Sequence, residues 1–239
     1  MSTTTAEATR TGTGKNLSRD TIVHTAMQFI DRDGAQGLTM RALANELDVV
    51  PMALYRYVHG REDLLEAVVA LLLERVRHDL DDELASTGWQ GYLQTLATSV
   101  RRIAVEHPAA FPLVATRHPS APWLRPPLRS LDLVEHFLET LRGHGFTDTQ
   151  IVGTYRAFSS FLLGNLLLES ASRGAKTSPV EVAFDEGDAH IANKDGQVDL
   201  SDKPEARRLR PLLSEDHSEE EFEIALEALL DRFEMSISQ

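Results

Sequence analysis

The stretch that most constrains the fold is residues 38–65, which reads as two short helices joined by a tight turn, with a third helix starting directly after. Thr39 is a good N-cap, because its hydroxyl can accept a bond from an otherwise unpaired amide of the first turn. Ala42, Leu43, Ala44 and Leu47 then form a small apolar face at helical spacing. Asp48 falls where the chain must turn, and Asp tolerates the left-handed conformation better than most non-glycine residues. Val49 anchors the turn. Pro51 suits a first helical position, where its missing N–H is not needed. The second helix, over 51–57, is too short to bury much of itself. Leu54 and Val58 face inward against Leu43 and Leu47, leaving Met52, Ala53, Arg56 and Tyr57 outward. A short helix presenting aromatic, cationic and small apolar side chains suits the DNA major groove.

Gly37-Leu38-Thr39-Met40-Arg41-Ala42-Leu43-Ala44, then Leu54-Tyr55-Arg56-Tyr57-Val58, then Arg61 ahead of Leu64-Leu65 make this segment similar to the DNA-binding domain of the TetR family of transcriptional regulators. Two positions depart from that pattern. Asp48 stands where a turn glycine is usual, and Tyr57-Val58 replaces a common His-Phe. Both substitutes fit the local geometry. The resemblance implies an all-α protein with a three-helix reading head followed by a helical ligand-binding and dimerising body.

Length and composition agree with such a chain. Its 239 residues, 42% of them hydrophobic, allow one large domain or two modest ones with a real core. There is no cysteine, so disulfides and thiolate metal sites are excluded, which suits a reducing cytoplasm. The net charge of −13 looks wrong for a DNA-binding protein until its distribution is examined. Residues 1–61 carry seven Lys/Arg against six Asp/Glu, and the rest carries seventeen against thirty-one. The acid therefore lies almost entirely outside the reading head, which keeps the body away from phosphate. A head this weakly positive implies modest non-specific affinity with marked salt dependence.

Along the chain, residues 1–16 are Thr-rich with no apolar run and read as a disordered arm. The head spans 17–62 and the body 63–239. Ser18 caps the first helix, with Leu17 placed to staple onto Ile22, and Ile22, Val23, Ala26, Phe29 and Ile30 form its buried stripe. Lys15 and Arg19 flank its start, either near phosphate or simply solvated. Helices are expected over 61–84, 89–107, 109–116, 123–144, 148–172 and 218–236, with breaks marked by Gly and Pro. Residues 173–217 read as a flexible loop, with a short helix around 204–213 beside the basic cluster Arg207, Arg208 and Arg210. Asn193-Lys194-Asp195-Gly196 lacks the first acid and closing Glu of a calcium loop and reads as a turn. The densest apolar stretches, 67–73 and 161–168, fall far below the roughly twenty residues a membrane span needs, so no membrane partner is expected.

The helix over 148–172 is apolar over much of its circumference, so it must be buried on several sides. In the family the helices matching 148–172 and 218–236 pair with their copies in a four-helix dimer interface. The resemblance thus implies a homodimer through Tyr155, Phe161, Leu162, Leu166, Phe222, Leu226, Leu229 and Phe233.

Nothing in the body supports an enzyme. No cysteine nucleophile is possible, and the nine histidines form no His-Glu-x-x-His or Glu-x-x-His repeat. No Gly-rich phosphate loop precedes a helix, and neither a cofactor nor a metal is expected. The family encloses a small molecule between helices matching about 89–145 and 148–172, which makes Trp89, Tyr92, His107, Phe111, Trp123, Phe137, Tyr155 and Phe158 candidate lining residues. Aromatics at this spacing are more often plain core. His107 and His118 are polar handles for such a cavity or merely exposed. The tetracycline repressor carries a metal-ligating His four residues before the Arg of a Thr-Arg pair; here Thr116-Arg117 is present, but the matching position is Leu113. An uncharged or weakly polar effector fits better than a magnesium–tetracycline complex, an expectation that tetracycline-dependent release from DNA would sink.

By resemblance, Thr39, Arg41, Met52, Ala53, Tyr55, Arg56, Tyr57 and Arg61 lie at the DNA. Arg41 is the candidate for a base or phosphate contact, and Met52 and Ala53 suit thymine methyls. Tyr55, Tyr57 and Arg61 suit phosphates, and Arg56 suits either. The expected protein is a cytoplasmic repressor that binds a palindromic operator as a homodimer under control of an unidentified small molecule. Two alternatives stand beside it: a regulator without a small-molecule effector, protein-partnered or activating, and a helical ligand-binding protein with a degenerate head.

Overall fold

The computed structural model describes residues 17–83, 88–116, 118–175 and 201–237. Expectations placed on the arm 1–16, on Lys15, on Arg117, on the turn 193–196 and on most of the loop 173–217 fall outside them. Nine α-helices and no strand occur among the described residues.

The first helix, α1 (Arg19–Asp33), starts at Ser18, whose hydroxyl accepts from the Thr21 amide at 3.1 Å. It buries Ile22, Val23, Ala26 and Ile30, while Leu17 and Phe29 pack half-buried against the core. Gly34 ends it at φ 82°, donating its N–H to the Ile30 carbonyl, and a 3₁₀ turn, Ala35–Gly37, leads on. Thr39 caps α2 (Met40–Glu46) through a 3.0 Å bond from the Ala42 amide. Asp48 turns the chain at φ 54°, and Val49 closes the turn by donating to the Ala44 carbonyl at 2.9 Å. Pro51 opens α3 (Pro51–Leu54), which is shorter than expected. Both the Tyr57 and Val58 amides bond back to the Leu54 carbonyl, winding residues 55–57 into a tighter turn that delivers Val58 to the core.

Everything then hangs on α4 (Arg61–Glu83), which packs against α1 and against α5 (Gly88–Glu106). Helical spacing marks Leu64, Leu65, Val68, Leu71, Leu72 and Val76 as its apolar side; all are buried except the half-buried Leu71, and the burial extends to Ala67, Val69, Leu73 and Leu80. A second 3₁₀ turn, Phe111–Leu113, replaces the helix expected over 109–116. The helix expected from 123 begins only at Leu131, as α6 (Leu131–Gly143) with Ser130 as its cap. Pro126 and Pro127 supply no amide donor, so 114–116 and 118–130 form an irregular connection. The fold is completed by α7 (Asp148–Ser172), α8 (Pro204–Leu213) and α9 (Ser218–Ile237). α7 starts in a Thr147/Gln150 capping box. By length and composition alone it would be long enough to cross a membrane, longer than the apolar core 161–168 suggested. It packs instead against α5, α6 and α9. No residue of α8 is buried.

Two polar clasps tie the body together. Glu169 of α7 is buried and takes a forked pair from Arg101 of α5 at 2.9 and 3.1 Å, with Arg173 at 3.1 Å. Arg101 also reaches Glu219 of α9 at 3.4 Å and lies over the Phe222 ring. A buried carboxylate stripped of such partners is strongly unfavourable, whereas the reverse loss leaves the cation nearer water. Arg101→Ala should therefore cost about 3 kcal/mol of global stability, read as a lower urea midpoint; an unchanged midpoint would show the clasp to be incidental. The second clasp joins α4 to α5: Asp79 accepts from the Ser99 hydroxyl at 2.7 Å and pairs with Arg102. Burial alone would raise this carboxyl, but the two bonds outweigh it and hold it below the ordinary value. A carboxylate lowered on folding stabilises above its unfolded pKa of about 4, and that share is lost as pH falls through the folded value. Asp79→Asn should flatten this part of the acid limb of a stability–pH profile below about pH 4.

Candidate nucleic-acid interface and ligand cavity

Seen from the reading head, α3 is a buried foot under an open face. Leu54 is fully buried, while Met52 is 72% exposed and Tyr55 and Tyr57 are also exposed. Thr39, Arg41 and Arg56 are exposed, and Ala53 is half-buried. Val50, which the sequence reading passed over, is 69% exposed beside Pro51. Its signal was its position just before the first helical residue of α3, where a side chain has no core to enter.

Charge is distributed unevenly over this head. Arg19 pairs with Asp63 at 3.2 Å, and Arg32 forks onto Glu46 at 3.0 and 3.2 Å. Such surface pairs contribute only about 0–1 kcal/mol each, but they use up cations. Arg41 and Arg56 make no ion pair among the described residues. Arg61, expected at a phosphate, is engaged within the head itself. Its Nε donates to the Leu38 carbonyl and an Nη to the Ala35 carbonyl, both at 2.9 Å. The guanidinium thus holds the turn that launches α2, because α4 begins directly beneath that turn.

In the body, α5, α6 and α7 enclose an apolar cavity of about 30 Å³. That is room for one or two waters. Of the eight expected lining residues, Phe137, Tyr155 and Phe158 reach it. The rest of the wall is aliphatic: Leu96 and Val100 from α5, Leu133 and Val134 from α6, Leu162 and Leu163 from α7, and Val114 and Leu128 from the connection. Aromatics drew attention in the sequence, whereas Leu and Val at helical spacing carry no mark that separates wall from core. Ser159 and Tyr155 bring the polar atoms. The Tyr155 hydroxyl donates to the Pro126 carbonyl at 3.0 Å, and burial pushes its pKa up to about 12.

Five expected lining residues lie elsewhere. Tyr92 is buried behind Phe137, its hydroxyl 3.1 Å from His136 Nδ1, and burial raises its pKa far above the usual phenol range. Trp89 packs edge-on against Phe146, and Phe111 is fully buried in the core. Trp123 is 72% exposed, because the irregular connection replaces the helix that would have turned it inward. His107 sits 2.8 Å from Asp31 of α1, so it links body to head. His118 lies 3.7 Å from Glu66 of α4. On the outer side of Leu133 an open groove of about 460 Å³ carries Asp132, Glu135, His136 and Glu139.

The expected dimer residues lie largely inside the single chain. Tyr155, Leu162, Leu166, Phe222, Leu226 and Phe233 are buried within the single chain, and Phe161 stacks on Phe222 at 5.6 Å between α7 and α9. Leu229 packs half-buried against the same core. These apolar stripes close the monomer on itself.

Both parts of the chain match known family profiles. The profile described as “Bacterial regulatory proteins, tetR family” covers residues 22–68, and “Tetracyclin repressor-like, C-terminal domain” covers 83–236. The chain belongs to the TetR family. This is a family of transcriptional regulators, not of enzymes. Similar TetR proteins include the HTH-type transcriptional repressor DrrR1 of Streptomyces coeruleorubidus, 31% identical over 155 residues. That match covers 64% of this chain but only 54% of DrrR1, about half its length. The class D tetracycline repressor protein of Escherichia coli is 26% identical over 93% of this chain and 91% of its own. Among solved structures, a possible TetR family transcriptional regulator from Streptomyces coelicolor A3(2) superposes with a TM-score of 0.67 at 25% identity, covering 92% of this chain and all of that one.

The occupation of Arg61 generates a direct expectation for the TetR head. Arg61→Met keeps the apolar stem and removes both carbonyl bonds, costing about 2 kcal/mol locally. Amide exchange in α2 should then accelerate about 30-fold, and unchanged protection there would show that the turn stands without it.

Proposed function

We propose that this TetR-family chain is a transcriptional repressor that reads a palindromic operator as a homodimer and is controlled by a small, largely apolar molecule in the body cavity. The observation that supports it most is the open face of α3. Exposed apolar and aromatic side chains have no use in an isolated head, and they stand with two arginines that make no ion pair among the described residues. Met52 and Val50 suit thymine methyls, Arg41 and Arg56 suit bases or phosphates, and Tyr55 and Tyr57 suit phosphates. Thr39, Ala53 and Arg61 shape the surface more than they reach from it.

A second copy is supported by what remains open on α7 and α9. Val152 and Leu168 are exposed along α7, with Gly153, Ala157, Ser160 and Gly164 between them. Ile224, Ala228 and Met235 are exposed along α9. This face, not the buried stripe, is the proposed interface, and two heads joined through it would meet half-sites one helical turn, about 34–36 Å, apart or a multiple of it. For the effector, the cavity wall favours an uncharged or weakly polar molecule. Leu113 is buried in a 3₁₀ turn and offers no metal ligand, which argues against a magnesium–tetracycline complex. The absence of cysteine suits a cytoplasmic protein.

The test is selection of bound sequences from random duplex DNA, followed by titration of the winner at two salt concentrations. A palindrome should emerge, Arg41→Ala should weaken its binding at least tenfold, and Met52→Ala should relax base preference near the centre of each half-site. Absence of any enrichment at low salt would overturn the operator reading and leave the helical ligand-binding alternative.

A further inference from the structure

The connection between the 3₁₀ turn and α6 carries two residues of the cavity wall, Val114 and Leu128, and one buried cation, Arg129, next to them. Arg129 is 5% exposed. Its amide donates to the Val114 carbonyl at 3.1 Å, so the two ends of the connection are stitched together at the wall. Its guanidinium points toward the start of α4. One Nη reaches Glu62 and Glu66 of α4, each at 2.9 Å, and the other donates to the Thr116 hydroxyl at 3.2 Å. The Nε is buried with no partner.

Glu62 has a second neighbour. Its other carboxylate oxygen lies 3.5 Å from an Nη of Arg61, the side chain whose remaining donors hold the carbonyls of Ala35 and Leu38 ahead of α2. A contiguous polar chain therefore runs from the cavity wall through Arg129, Glu62 and Arg61 to the turn that launches the helix-turn-helix. Among the described residues, no other residue of the cavity wall or of the connection makes an ion pair this deep with α4.

We propose that Arg129 is a positioning residue that couples the cavity to the reading head, with Glu62 and Arg61 as its relay. This rests on the ligand-controlled reading above. A buried guanidinium cannot be left without a carboxylate at tolerable cost, so displacement of Leu128 and Val114 either drags the first two turns of α4 along or breaks the pair. Both outcomes are discrete, as coupling between distant sites requires. The orphaned Nε shows that the clasp is not fully satisfied in this arrangement, unlike the forked Arg101–Glu169 pair, which holds helices of the body to one another. His118, 3.7 Å from Glu66, and His107, paired with Asp31, brace the same joint from either side.

The test uses the full chain and the operator recovered by selection, with cavity-filling substitutions as permanent stand-ins for a ligand. Leu163→Phe on α7 and Val100→Leu on α5 each enlarge a wall residue opposite the connection; two are used in case one fails to fold. Operator Kd is measured for each in three backgrounds: wild type, Arg129→Lys and Glu62→Gln. Glu62 is 63% exposed at its side chain, so its variant tests the relay without leaving a hole. Filling the cavity is expected to change Kd at least tenfold in the wild type and less than threefold in both variants. A purely structural Arg129 would give the same tenfold change in every background, because independent effects add, and that result overturns the relay while leaving ligand control standing. No change in the wild type from either filling substitution, or no operator from the selection, overturns the ligand-controlled reading and the relay together.

Discussion

The structure depends on one helix having to be buried from two directions. α4 supplies the last wall of the reading head and the first wall of the body, packing on α1 and on α5. Its Leu and Val side chains, from Leu64 to Leu80, are withdrawn from water by both. At roughly 1.5–3 kcal/mol for each large apolar side chain buried, neither the three-helix head nor the bundle can give it up. A rigid rod shared in this way cannot be moved by one part without being felt by the other. The fold thereby makes mechanical continuity between cavity and head a consequence of stability.

Polar groups around α4 are placed accordingly. Asp63 takes Arg19 and the His59 amide, Glu62 and Glu66 take Arg129, and Asp79 takes Ser99 and Arg102. Successive turns of one helix are thus fastened to the head, to the connection and to α5. The exposed arginines of α2 and of the turn after α3 stay outside this scheme. An acidic chain that pairs many of its described cations with its own carboxylates, yet leaves Arg41 and Arg56 open on the face that also exposes Met52 and Tyr55, separates what holds the fold from what it presents outward.

The parts of this arrangement that were legible in the sequence are those decided within a few residues. Ser18 and Thr39 cap because an unpaired amide lies three residues on; Asp48 turns because few other side chains accept positive φ; Pro51 starts a helix because it lacks a donor. The family resemblance extended this to the whole architecture. Where the outcome depends on a distant neighbour, local pattern was insufficient. Leu124 and Leu128 continue the periodicity of α6 backwards, but Pro126 and Pro127 interrupt the amide ladder, and the helix starts seven residues after Leu124. Tyr155, Leu162 and Leu166 read as interface because α7 is apolar nearly all round, and only its contacts with α5, α6 and α9 show which sides the chain covers itself. The hold of Arg61 on the turn before α2 was hidden because its partners are backbone carbonyls, which no sequence pattern displays.

The size of the cavity carries the last step. Pockets that hold drug-sized molecules run to roughly 300–1,000 Å³, against about 30 Å³ here. Under the proposed ligand control, a molecule larger than a few atoms binds only an arrangement in which the wall has moved. A ligand shifts an equilibrium only as far as its affinities for the two states differ, and a cavity this tight makes that difference close to absolute. The wall least able to resist is the one without regular hydrogen bonding, the connection bearing Val114 and Leu128, since α5, α6 and α7 are each held by their own helical ladders. Leu133 opens the remaining route, because the same side chain faces the closed cavity on one side and the open groove on the other. Under the proposed ligand control, selectivity for an apolar body and sensitivity of the head to its arrival follow from a single property, a core packed almost to completion beside a segment that is not.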